Sequence, residues 1–320
     1  MSPLRRSLYA VVPTVLALLV LSPSTAVRAE PSAAEIQQRI NTESRTLSRI
    51  VEDYNKVREQ LKQTKAAAAR HAATLPALEQ RLGAAERDIQ QIALTAYKTG
   101  HLREVDALLS AGRQGALLDR LSPLDQLAKR RQEQVRGYAA ARQQYLAEKR
   151  KLDNLLAKQN IQMRDLAARK VKIEKDLEKL FELRRQAYGQ AQETGSRYTG
   201  TIPAISGSAG VAVRFAYNAI GSPYVWGAAG PNGYDCSGLT KAAWRAAGKS
   251  LPHNAAMQRD ATAYINQSQL MPGDLVFYSG LGHVGLYVGN GKVIHAPTFG
   301  QNVTLADVGV MPIHSYGRVR

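Results

Sequence analysis

The apolar and polar positions of this 320-residue chain fall into three regimes. Over 35–97, apolar residues step by four and three: Ile36, Ile40, Leu47, Ile50, Tyr54, Val57 and Leu61 lead on to Leu82, Ile89 and Ile92. Glu43, Thr64 and His71 share the register and weaken it. Such spacing puts the stripe on one helix face, and a stripe this long predicts a coiled coil. A second run, 134–196, carries Val135, Tyr138, Tyr145, Leu152, Leu156, Met163, Leu166, Ile173, Leu177 and Leu180 at similar intervals. As a helix each run would extend roughly 95 Å. Matched lengths predict one antiparallel hairpin, spanning 30–197. Pro76 should kink or break the first helix near Thr74. His71 reads as a tolerated polar residue in the seam.

Between the runs, at about 98–133, the pattern changes. Thr99-Gly100 is expected to end the first helix, and Leu102, Val105, Leu108 and Leu109 suggest a short amphipathic one. Gly112 and Gly115 interrupt it. Leu117, Leu118, Leu121, Leu124 and Leu127 follow, with Ser122-Pro123 among them. Two readings stand: a helical cap packed on itself, or a partner-binding knob at the hairpin tip.

Residues 198–206 read as a linker rich in Gly, Ser, Thr and Pro. Beyond it, 207–320 opens with helix-compatible runs and passes to strand-like ones at 274–278, 283–288 and 292–296. Helix first and sheet later implies an α+β unit. Gly289-Asn290-Gly291 joins the last two strands. A two-residue turn pairing Gly289 with Lys292 would put His295 opposite Leu286, on the face His283 does not share. A three-residue loop pairing Val288 with Lys292, or a bulge with the same effect, sets His295 opposite Gly285 and beside His283, and this is the arrangement expected.

The start of the chain is different again. Arg5 and Arg6 precede an apolar core from Leu8 to Leu21, and Val27-Arg28-Ala29 offers a cleavage site. Residues 1–29 therefore read as a secretory signal peptide. The apolar core is short for a membrane anchor. The expected location is secreted and extracytoplasmic.

Net charge is +17. The excess lies mainly on 30–200, with 32 basic and 22 acidic side chains; residues 201–320 hold 8 and 4. Basic residues interleaved with acids on solvated helix faces, in an exported protein, argue against nucleic acid. Attraction to anionic headgroups or acidic wall polymers fits better.

The candidate chemistry centres on Cys236, the one cysteine in the chain. An exported single thiol cannot form an internal disulfide, which favours a reactive role. It sits in Tyr234-Asp235-Cys236-Ser237-Gly238-Leu239, where a Gly-rich loop gives way to a helix-compatible run. A helix N-terminus favours a thiolate, so a lowered pKa is expected. His283 and His295 follow on strand-like segments and complete a nucleophile, base and orienting residue. A buried structural cysteine with core histidines is the bland alternative. One Cys and two distant His lack the paired spacing of a zinc site, and no metal or cofactor is expected. Asp235 could cap the helix, bind a substrate ammonium, or both.

Six segments occur in order: Gly221 to Gly227, Tyr234 to Leu239, Leu251-Pro252, Met271 to Tyr278, His283 to Gly289, and Val293 to Ala296. Together they resemble the NlpC-type family of papain-like peptidoglycan endopeptidases, across roughly 207–320. The resemblance implies a papain-like fold with Cys236 as nucleophile, His283 as base and His295 as orienting residue. It places Tyr224, Asp235 and Ser237 along the substrate cleft. It further implies cleavage of D-γ-glutamyl-diaminopimelate bonds in peptidoglycan stem peptides, in cell separation, under control of the coiled coil. One departure is His253, where the family often has Arg after Leu-Pro. The tip segment also resembles coiled-coil hydrolases and regulators docked by an FtsEX-type membrane division complex. The alternatives are an amidase or transpeptidase using the same Cys–His pair, or a coiled-coil adaptor that activates other wall hydrolases.

Overall fold

The computed structural model describes residues 32–109, 116–189 and 196–320, with 99–109 and 116–124 described as backbone only. The expected signal peptide and the tip leucines Leu108, Leu109, Leu117 and Leu118 lie outside the described residues or side chains. No described helix is long and apolar enough to cross a membrane.

Two long helices, α1 (Ala33–Leu109) and α2 (Ala116–Tyr188), run along each other. Their direction is antiparallel: Asp53 meets Arg169 at 3.6 Å, and Thr74 donates to Glu148 at 2.9 Å. One expectation fails here: the first helix does not end at Thr99-Gly100 but continues to Leu109. Of the two outcomes expected at Pro76, the break does not occur, and α1 runs on through it. A proline removes one backbone bond, yet at this level His71 and Thr74 both bond Glu148 across the seam. That contact with α2 ties down the turn before the proline. His71 is thus a specific partner instead of a merely tolerated residue.

Among the described residues the large apolar seam side chains that are fully buried lie near the C-terminal unit, at Ile40, Leu47, Val51, Ile173 and Leu180. Farther out, two helices alone half-cover their apolar stripe. The register on α2 also differs from the sequence reading. Val135, Leu156 and Met163 face solvent, while Gln162 is buried.

The C-terminal unit is α+β. Helices α3 (Gly207–Ala219), α4 (Cys236–Ala246) and α5 (Ala255–Asp260) precede or flank a six-stranded antiparallel sheet. Its strands are β1 (Ala263–Ile265), β2 (Leu275–Tyr278), β3 (His283–Gly289), β4 (Lys292–His295), β5 (Thr304–Asp307) and β6 (Ile313–Arg318), in the order β1-β6-β2-β3-β4-β5. Three of these were legible as strands. β1 is three residues long, and β5 is an edge strand whose residues are exposed or half-buried, so neither carries a strong pattern. α3 and α4 pack on one sheet face, where Leu239, Ala243, Leu275, Phe277 and Leu286 are fully buried.

Candidate active site

Asp235 starts α4. Its carboxylate accepts the Gly238 backbone N–H at 2.6 Å, the usual capping bond. This places Cys236 on the first turn, against β3. A side chain at 238 could not be accommodated, since a Cβ there would lie 2.0 Å from the Ala228 carbonyl oxygen.

The register of β3 and β4 decides where the histidines go. Gly289 pairs with Lys292, as in a two-residue turn, but the register shifts before Tyr287, leaving Val288 as a bulge. Beyond the bulge Tyr287 faces Val293 and Leu286 faces Ile294, which carries His295 to Gly285. Asn290 and Gly291 take positive φ in the turn. His283 and His295 therefore share a face, and His283 Nε2 lies 2.9 Å from His295 Nδ1. The rings meet edge-on at 89°. A Cβ on Gly285 would touch His295 Cβ at 3.4 Å, so the missing side chain makes room for the imidazole.

Four of the named residues crowd together. Ser237 is buried beside Cys236, and Asp235 accepts from Gly227 N at 2.8 Å and meets His253 Nε2 at 2.8 Å. Tyr224 is buried with its ring against Phe299, and its hydroxyl has no partner. Burial pushes its pKa well up, and the neighbouring Cys236, Asp235 and Glu52 add to the shift.

What sequence reading missed is that α1 occupies this site. Ser44, Ser48, Glu52 and Asn55 form a second stripe on α1, polar and buried against the C-terminal unit. Cys236 donates its thiol to the Glu52 carboxylate at 3.4 Å, and Ser237 donates to the same oxygen at 2.6 Å. The other Glu52 oxygen accepts from Ala255 N at 2.5 Å and Asn254 Nδ2 at 3.0 Å. Asn55 donates to Asp235 at 2.9 Å, and Arg58 to the Gly227 carbonyl at 2.8 Å. Arg58 also bonds His253 Nδ1. Glu59 accepts from Lys241 at 2.9 Å and from His253 N at 3.2 Å. His253 thus receives a guanidinium brought in by α1. The only sequence signal was polar residues at helical spacing, which ordinarily mark a solvated face.

The occupied site is electrostatically quiet. Burial, then the nearby carboxylates Glu52 and Asp235, push the Cys236 thiol well above its ordinary range. The expected lowering by the helix N-terminus is outweighed. Burial and the neighbouring His295 hold His283 well below its ordinary value, and burial takes His295 to about 4. Burial and Asp235 raise Glu52 to about 7. Asp235 stays below its ordinary value: burial pushes up, but His253 and the bonds from Asn55 and Gly238 outweigh it. Thiol and imidazole thus both rest neutral. Among the described residues no group of three His, Cys, Asp or Glu side chains could hold a metal.

Comparison with known proteins gives a consistent picture. The model of the NlpC/P60 family matches residues 221–314. A probable endopeptidase of Corynebacterium glutamicum is 41% identical over 130 residues, which cover 40% of this chain and 61% of that protein. Probable endopeptidase p60 of Listeria monocytogenes is 50% identical over 80 residues, covering 24% of this chain and 16% of that protein. Among solved structures, the NlpC/p60 domain of peptidoglycan hydrolase SagA is 34% identical, with 35% of this chain and 98% of that chain covered and a TM-score of 0.33. The chain spans 61% or less of the length of these two curated relatives.

Proposed function

We propose that this chain, whose residues 221–314 are a domain of the NlpC/P60 family, is a peptidoglycan hydrolase held shut by its own N-terminal helix. Cys236 is the nucleophile, His283 the base and His295 the orienting residue. The observation that carries this is the bulged β3–β4 register, which sets both imidazoles on one face with His283 Nε2 2.9 Å from His295 Nδ1.

The division of labour follows. The hairpin at 30–197 is a regulatory arm, 198–206 a linker and 207–320 the peptidase. With α1 withdrawn, water reaches the groove and Cys236 loses the Glu52 carboxylate. His283 then takes the thiol proton, and the thiolate attacks a peptide carbonyl to form a thioester. Backbone N–H groups at the start of α4 face the developing oxyanion. His283 protonates the leaving amine and next activates water. Asp235, relieved of Asn55, offers an oxygen to a substrate ammonium. Tyr224 and Ser237 supply hydroxyls along the same cleft. The substrate is a stem peptide, and the bond is D-γ-glutamyl to diaminopimelate. Export by a signal peptide, a wall location, a role in cell separation and release through an FtsEX-type complex at the tip complete the reading.

Digestion of a defined muropeptide tests it. A full-length chain carrying Glu52→Ala should cleave and release a diaminopimelate-bearing fragment; adding Cys236→Ala should abolish release. Product masses separate an endopeptidase from an amidase or transpeptidase. Hydrolysis that survives loss of the thiol would sink the assignment.

A further inference from the structure

α1 does not fill the groove evenly. Glu52 takes the side that holds Cys236, Ser237 and Ala255. On the imidazole side a cavity of ≈ 670 Å³ remains between hairpin and C-terminal unit, with His283 and His295 in its wall. That volume suits a small molecule; such sites run roughly 300–1,000 Å³.

The wall has one sign of charge. Arg45 and Arg49 line it from α1 and Arg184 from α2, and no Asp or Glu contributes. Among the described residues these guanidiniums have no carboxylate partner. Arg45 donates to the Asn41 carbonyl and Arg184 to the Gly300 carbonyl, both at 3.2 Å. Ser44 and Thr298 also line the cavity, with hydroxyl oxygens shut off from solvent and without a partner. Guanidiniums free of acids draw anions and fork onto carboxylates. Orphan hydroxyls cost free energy until something bonds them.

We propose that this cavity binds the amine-side fragment released by hydrolysis, a small peptide with two carboxylates, and binds it best while the hairpin is docked. The inference rests on the peptidase reading above. His283 protonates the leaving amine, so that fragment departs on the imidazole side. Its two carboxylates meet the three arginines, and of its two ammoniums the one formed from the leaving amine meets imidazoles kept neutral by burial. All three arginines ride on the hairpin, so the contacts exist only in the docked arrangement. Linkage then requires that the fragment favour docking. Released product closes the enzyme.

The test is calorimetric titration of the full-length Cys236→Ala chain with meso-diaminopimelyl-D-alanine. Saturable binding is expected, weakened about tenfold or more by Arg45→Gln with Arg49→Gln, in line with losing charge-assisted bonds. Undocking by Glu52→Ala with Arg58→Ala should weaken it similarly. No binding, affinity indifferent to either pair, or inorganic phosphate binding as tightly would each overturn the proposal. Failure of the peptidase reading would appear elsewhere, as turnover by the Cys236→Ala chain.

Discussion

The sheet core and the α1 interface are both buried, but they are built from opposite materials. On the sheet, Leu239, Phe277, Val284 and Leu286 pack apolar side chains with nothing to satisfy but each other. Under α1, Glu52, Asn55, Asp235 and His253 are equally shielded and hold together by hydrogen bonds and charge. The apolar core gains from burial itself. A polar interface gains little net, because each bond replaces one to water, and it loses much if a single partner is removed. The first construction suits a permanent fold. The second suits a contact that must come apart without unfolding either side.

The largest expected effect lies in the core. Phe277→Ala should cost about 3–5 kcal/mol through lost transfer and the remaining cavity. Thermal unfolding of the full chain would register it as a large drop in midpoint. If the midpoint moved no further than it does for an exposed change such as Tyr264→Ala, the contrast between the regions would be wrong.

Removing the interface should behave differently. Glu52→Ala deletes the acceptor for Cys236, Ser237, Asn254 and Ala255. Bonds to a charged group contribute about 1.5–3 kcal/mol each at most, and several of these donors regain water or substrate once α1 leaves. Hydrolysis of a soluble stem peptide should rise by roughly tenfold to a hundredfold, with the core's unfolding midpoint little changed. Unaltered activity would mean that α1 does not govern access.

Much of the α+β unit could be read in advance because its signals are local. The Gly-rich loop, the capping Asp235 and the two histidine-bearing strands each announce themselves within a few residues. Requiring two imidazoles on one face called for a three-residue loop or a bulge; the loop pairing Val288 with Lys292 does not form, and a bulge at Val288 does its work. The docking of α1 could not be read, because Glu52 and Asp235 lie 183 positions apart and a polar helix stripe looks the same whether water or protein covers it. For the same reason the upward shift of the Cys236 thiol was missed. The helix start predicts a lower pKa, but burial under α1 and its carboxylate overrules it. β5 and β6 were invisible for a different cause, the short and partly exposed pattern of edge and polar strands.

A smaller effect probes the site's own packing. Gly285→Val would push branched methyls toward His295, whose Cβ already lies 3.4 Å from where a Cβ at 285 would stand. Displacing the ring by a fraction of an ångström should lower kcat about tenfold with KM nearly constant, since orientation is spent in the transition state. An equal rise in KM instead would mean that the residue shapes the cleft and leaves the imidazoles alone.

The finest distinction is a matter of protons. Burial and Asp235 raise Glu52 to about 7 in the docked chain, against an ordinary value of 4.5 once it reaches water. Between those values the docked form keeps a proton that the undocked form has lost. Raising the pH through that window therefore weakens docking, and above it the effect is complete. The buried histidines act in the opposite sense at acid pH, because undocking lets them take protons they refuse while buried. Comparison with Glu52→Gln cancels that contribution along with the pH dependence of the chemistry. A glutamine can still accept from Ala255 with its oxygen while its amide faces the hydroxyl and thiol of Ser237 and Cys236, so docking should survive without the titration. From pH 5 to pH 8 the wild-type chain should gain activity relative to Glu52→Gln by up to about seventyfold. Parallel pH profiles for the two chains would show that the Glu52 carboxyl does not change its protonation when α1 leaves, and the polar interface would then be insensitive to acid.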